Sequence, residues 1–234
     1  MVTGILVAAN AVLSVWLPYH REQEIILKIE ACKGGASSET YCPQWLRRVV
    51  GDERLAVFNR VQSVDLKNCT ISDVDLGLLR QLNRIEVLDL HGTAVSDAGM
   101  GHLAALKSLR VLILKDTRVS DAGLAHLDRL TNLSCLDLSR TRLRDAGLSH
   151  LQGMTKLAIL CLRETKISDA GLVYLRGMTN LERLDLRHTW TSDAGFDELA
   201  KLTTLRWLDL RDTQFTDEGV EALRAALPGC KFTR

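Results

Sequence analysis

The chain has 234 residues, 46% of them apolar, which is enough for one extended hydrophobic core. Thirty basic residues stand against 29 acidic ones, a formal net charge of +1, so no global field draws the protein to nucleic acid or to an anionic membrane surface. Aromatic residues make up 5% and prolines number three, a composition unusual for a sandwich or barrel and natural for a stack of short strands and helices.

The first element in chain order is the uncharged run VTGILVAANAVLSVWL, residues 2–17, which stops at Pro18 and Arg21. As a helix it reaches ~24 Å, short of the ~30 Å hydrocarbon core, and no Lys or Arg precedes it as a signal peptide requires. Cleavage after Ala9-Asn10-Ala11 would leave too short an apolar stretch ahead of it. Residues 1–17 therefore read as a signal anchor holding the protein to a membrane, with the question of whether Met1 is the true start left open; the alternative is a buried cap helix in a cytoplasmic protein. Arg21, Glu22, Glu24 and Lys28 give no orientation bias, so the side of the membrane stays open.

Residues 18–60 read as an N-terminal cap. The stretch 21–32 is an amphipathic helix with Ile25, Ile26 and Ile29 on one face, ended by Gly34 and Gly35. No GxxxxGK[ST] follows the glycines, which excludes a phosphate loop by motif. Trp45, Leu46, Val49, Val50, Leu55 and Phe58 supply a second apolar face to shield the first strand from edge pairing.

From Val61 onward a period of 24 residues organises the chain, over seven repeats spanning 61–228. Thr93, Thr117, Thr141, Thr165, Thr189 and Thr213 hold one column; Asp97, Asp121, Asp145, Asp169, Asp193 and Asp217 a second; Gly99, Gly123, Gly147, Gly171, Gly195 and Gly219 a third. The first copy is weaker, with Cys69 in the Thr slot and Asp75 in the Gly slot. Within a unit, Leu136 and Leu138 are two apart and face one side of a strand, whereas Leu148, Leu151 and Met154 recur every third residue, as in a short helix on the strand's back. The Ser or Thr before each Asp suits an N-cap, and the Asp then sits in the helix's first turn, a structural role. The Gly column permits tight stacking or an unusual backbone angle.

One unit is too small to hide its leucines, each worth ~1.5 to 3 kcal/mol when fully buried, so copies must stack around one core. Strands in identical units run parallel, and the crossover rule makes the coil right-handed. The expectation is an α/β solenoid with the sheet on the concave face and short helices on the convex face.

The LxLxxTxΦ[ST]DAGL pattern resembles the leucine-rich-repeat family, in the class common in bacterial proteins and similar to the cysteine-containing repeats of F-box adaptors. The flank from REQEIILKIEACKGG to Phe58 is similar to that of bacterial members with a membrane anchor, and ALPGCKF resembles their closing half-strand, here residues 229–234. The resemblance implies a non-catalytic module that binds a protein or peptide through the concave face as a monomer. Two other readings it leaves open are a substrate-selecting adaptor and a structural envelope or surface protein.

Strand positions flanking the buried leucines point to the concave face. The middle carries Val111, Ile113, Cys135, Ile159 and Cys161; the C-terminal third carries Arg183, Asp185, Arg187, Trp207, Asp209 and Arg211, with His188 and Trp190 at the rim. Exposed Trp beside Arg is interface composition, because both bury large areas and Arg forks onto carboxylates. These eight residues are the candidate partner-binding site. The competing reading is that Asp and Arg merely neutralise one another across strands.

The sequence points to no enzyme and no cofactor. His102, His126 and His150 share a column, but on helices ~8 to 10 Å apart they are too widely spaced for one metal ion. Cys135 and Cys161 lack the positive surroundings of a reactive thiol. The six cysteines have no CxxC spacing and read mostly as small core residues, although Cys32 and Cys42 are close enough in sequence to bridge.

Overall fold

The computed structural model describes residues 22–40 and 59–234. Residues 22–31 are helical, and Ile25 and Ile29 face the core from the expected side. Lys33, at φ 62°, and Gly34 end that helix; a Cβ on Gly34 would lie 2.7 Å from the Asp65 carbonyl oxygen. The anchor-like run 2–17 and the apolar set from Trp45 to Phe58 lie outside the described residues. Among the described residues, no helix is long and apolar enough to cross a membrane.

Among the described residues, nine strands form one open sheet in sequence order: β1 (Gly35–Thr40), β2 (Asn59–Asp65), β3 (Val87–Asp89), β4 (Val111–Ile113), β5 (Cys135–Asp137), β6 (Ile159–Cys161), β7 (Arg183–Asp185), β8 (Trp207–Asp209) and β9 (Lys231–Thr233). From β2 to β9 every pairing is parallel, each residue facing its equivalent 24 positions on. Beyond the last repeat, residues 231–233 form β9, which pairs with β8. The expectation of parallel pairing, made for the repeats, holds there; outside them β1, not anticipated from the sequence, runs antiparallel to β2 with a register shift between Ser37 and Ser38. The edge of the first repeat is thus covered by a strand of small polar residues, GASSET, whose pattern carries no apolar alternation to announce it.

Each parallel strand returns through a short helical segment: Asp75–Gln81, Asp97–Leu103, Asp121–Leu124, Asp145–Leu148, Asp169–Leu172, Asp193–Gly195 running into Phe196–Ala200, and Asp217–Ala226. Between sheet and helices the leucine columns are sealed: Leu88, Leu112, Leu136, Leu160, Leu184 and Leu208 are buried completely, as are Leu90, Leu114, Leu138, Leu162 and Leu186. Thr93, Thr117, Thr141, Thr165, Thr189 and Thr213 each donate a hydroxyl hydrogen bond to the carbonyl three residues earlier, which satisfies the polar group that turns the chain off the strand. Thr191, out of pattern in an apolar column, is fully buried and bonded to the Thr189 hydroxyl.

One residue before each Thr slot the backbone is left-handed. Asn68, Gly92, Asp116, Arg140, Glu164, His188 and Asp212 all have φ between 52° and 68°. Only one of the seven is glycine. The turn geometry is therefore imposed by the coil and tolerated by the others at a local cost of ~1 to 2 kcal/mol each.

The Asp and Gly columns form one device. Asp97 Oδ1 accepts from the amide of Ser120, in the next repeat, at 2.7 Å, and Oδ2 from its hydroxyl at 2.5 Å. Asp73, Asp145, Asp169 and Asp193 hold Ser96, Ser168, Ser192 and Thr216 in the same two-pronged way, while Asp121 holds the amide of Arg144 alone. The hydroxyls expected to cap their own helices all serve the preceding repeat, at Ser96, Ser120, Ser168, Ser192 and Thr216, and the last three also accept from an amide of their own helix. Glycine makes room for the carboxylate: a Cβ at Gly171 would lie 2.5 Å from Asp145 Oδ1. Tight stacking is thus the glycine's role, and none of these six glycines has a positive φ. Asp75 is tolerated in the Gly slot of the first repeat, where its carboxylate instead accepts from the Ser72 amide and hydroxyl.

This coupling is measurable. Asp145→Ala leaves the Ser168 amide without its acceptor and lowers unfolding free energy by ~1 to 3 kcal/mol. Gly171→Ala destabilises on its own but costs ~1 kcal/mol less when Asp145 is already Ala. Denaturant melts of the four variants check this, and strictly additive losses would contradict it.

Candidate functional site

The concave face is built by the strand residues that alternate with the buried leucines. Of the eight candidate residues, Arg183 and Trp207 are direct neighbours in register on β7 and β8, with Ile159 of β6 on the other side of Arg183. The Arg183 guanidinium carbon lies 5.1 Å from the Trp207 ring centroid, a cation–π stack. Ile159, Cys161, Arg183, Asp185, Arg187 and Trp207 line a shallow recess of about 230 Å³.

Asp185 and Asp209 are not free recognition groups. Asp209 is fully buried and Asp185 nearly so. Arg187 forks onto Asp185, with Nε 3.0 Å from both oxygens and an Nη 2.6 Å from Oδ2, and its Nε also lies 3.3 Å from Asp209 Oδ2. Arg211 forks in the same way onto Asp209. Both carboxylates further accept from the backbone amide two residues on. Asp65, Asp89 and Asp137 make that same bond, so the strand Asp column braces the exit from each strand. Hydrogen bonding by these carboxylates, and their charge, raise the Arg187 and Arg211 pKa values further. For Asp185, Arg187, Asp209 and Arg211 the geometry is that of mutual neutralisation.

The rim residues fall elsewhere. His188 is exposed, with Nε2 3.1 Å from Asp212 Oδ2. Trp190 is 53% exposed and lies past the turn, where its amide donates to the Ile167 carbonyl of the previous repeat. The strand face therefore brings together Arg183, Asp185, Arg187, Trp207, Asp209 and Arg211, and leaves His188 and Trp190 on the adjoining ledge. The mid-face residues Val111, Ile113, Cys135, Ile159 and Cys161 are all half-buried.

Of the cysteines in the described residues only Cys69 is in the core; Cys32, Cys135, Cys161 and Cys230 are half-buried free thiols, which corrects the reading of most as core residues. Their exposure follows from strand alternation, which puts Cys135 and Cys161 on the concave side. Burial, Asp137 and Asp185 push the Cys161 thiol up to about 12, and burial with Asp137 raises that of Cys135; Arg183 opposes both more weakly. Both thiols are neutral, apolar surface. On the convex side His102 and His126 pack over Gly77 and Gly101 of the preceding repeats, and among the described residues no three His, Cys, Asp or Glu side chains converge as metal ligands.

A coil of 24-residue units with a sealed leucine interior and an open strand face defines a leucine-rich-repeat solenoid. Residues 60–230 match the leucine-rich repeat region family, and the chain belongs to that family. Its fold is similar to internalin C2 of Listeria monocytogenes, with a TM-score of 0.55 and 21% identity over 74% of this chain and 81% of that one. It is also similar to the internalin InlF of the same organism, at 0.54 and 20% identity over 81% of this chain and 66% of that one. The PEPR1–AtPEP1 structure follows at 0.50 and 17% identity over 74% of this chain and 24% of that one. Among curated protein sequences none matches.

The thiol assignment predicts a pH dependence. Because the folded Cys161 pKa lies above the usual value of 9.0, the stability it supports is complete below pH 9.0 and is lost as pH rises toward about 12. Thermal melts across that range should fall less steeply for Cys161→Ala than for the parent. Equal slopes would show that Cys161 is not the group concerned.

Proposed function

We propose that the chain is a non-catalytic interaction module that binds a protein or peptide through the concave face of β2–β9. The observation that carries this is the half-exposed apolar strip of Val111, Ile113 and Ile159, continued by Trp207, on strands whose leucine columns are sealed. Those side chains contribute little to the coil's own core, and desolvating them repays association at ~25 cal/mol per Å². Family membership supports the reading at the level of fold, where function belongs to the exposed face rather than to the architecture. The neutral thiols and the self-paired Asp and Arg residues argue against acid–base or nucleophilic chemistry there. The same reading takes the protein as a monomer held near a membrane by residues 2–17, on the strength of that segment's lack of charge.

Arg187→Ala is a poor test, because it strips a partner from two buried carboxylates. The better variant combines Cys135→Arg with Trp207→Ala, which obstructs the middle of the face and truncates its C-terminal anchor. A partner captured by crosslinking to the full-length chain should be lost from this variant while its melting temperature stays close to the parent's. Undiminished capture would place the partner on another surface and contradict the proposal.

A further inference from the structure

Among the described residues, the concave face has a recess where a cation meets apolar walls, and its charge balance indicates what it takes. Arg187 is spent on Asp185 and Asp209, and Arg211 on Asp209. Arg163 reaches Glu164 at 2.9 Å. Arg183 differs from these. Its neighbours in register are Ile159 and Trp207, neither of them charged. The carboxylate on its own strand, Asp185, already accepts from the Arg187 guanidinium and the Arg187 amide. Arg183 is exposed and lies over the Trp207 ring, and a guanidinium stacked in this way keeps its N–H edge free for a carboxylate. Beside it, Ile159 and the Cys161 thiol line the recess with apolar surface, and the remaining wall is the Arg187–Asp185 pair, neutralised within itself.

We propose that the recess bounded by Arg183, Trp207, Ile159 and Cys161 is the anchor of the concave interface, and that it takes an acidic side chain adjacent to an aliphatic one on a peptide segment of the partner. This rests on the concave-face reading and adds the chemistry of the ligand. The carboxylate completes a fork with Arg183, and the aliphatic neighbour covers Ile159 and Cys161. The volume, about 230 Å³, suits one such pair rather than a folded domain, so the rest of the partner lies along the strip toward Val111. Two alternatives give different outcomes: a purely apolar anchor would show no acid preference, and an aromatic ligand stacking on Trp207 would select aromatic residues.

The probe is a displayed library of random twelve-residue peptides, panned against the full chain. Binders are expected to be enriched in Asp or Glu next to Leu, Ile or Val, and synthetic copies with the acid replaced by its amide should bind about tenfold more weakly. Arg183→Gln should abolish that tenfold difference, whereas Arg129→Gln, an equal charge loss outside the strand face, should preserve it. Binders displaced by blocking the face with Cys135→Arg, yet lacking an acidic preference or indifferent to Arg183→Gln, overturn the anchor while leaving the concave face intact. Binders untouched by Cys135→Arg overturn the concave reading itself.

Discussion

The carboxylate that each repeat inserts into the space left by the next repeat's glycine is the contact on which the regularity of the solenoid depends. A coil of 24 residues has too little interior to be stable alone, so its leucines are useful only if the neighbouring coil sits at a fixed distance and angle. Leucine packing rewards closeness but is nearly indifferent to small slips along the coil. The Asp clasp is directional: one oxygen meets an amide and the other a hydroxyl of the following unit, as between Asp145 and Ser168. With the glycine opposite, it fixes the spacing at which strands pair residue for residue from β2 to β8.

That rigidity is what makes the concave face a recognition surface. Side chains 24 residues apart become neighbours in register, so the ligand meets columns rather than scattered residues. Several columns are already committed. The strand Asp residues brace the exits of their own strands, and near the C-terminal end their remaining capacity is taken by Arg187 and Arg211. What remains available is the apolar strip from Val111 to Ile159, together with the Arg183–Trp207 stack. A surface of this kind favours an extended partner that satisfies one cation and covers a row of small apolar side chains.

Much of this was legible in the sequence, because repetition averages over weak local signals. The strand positions, the buried leucines, the helical returns and the concave assignment of Arg183 and Trp207 all follow from period and alternation. What escaped was what depends on a partner far away in the chain. The target of Asp97 is Ser120, a residue of the next coil, so local grammar assigned that Ser to capping alone. The left-handed column mixes Asn, Gly, Asp and His, which favour that conformation, with Arg140 and Glu164, whose residue type gives no warning of it. β1 is short, polar and antiparallel, and its GASSET sequence has no apolar alternation to mark it as a strand. The pairing of Arg187 with Asp185 was recognisable as an alternative, but only distances separate a neutralised pair from a binding pair.

The central claim is that the repeats are locked to one another by the Asp clasp and not by leucine contact alone, and amide hydrogen exchange tests it most directly. The account predicts that the amides of Ser96, Ser120, Arg144, Ser168, Ser192 and Thr216 exchange as slowly as those of the central strands, because each is held by the preceding repeat's carboxylate and opens only when that interface opens. Exchange of those six amides at the rate of exposed loop amides, with the strands still protected, would contradict it.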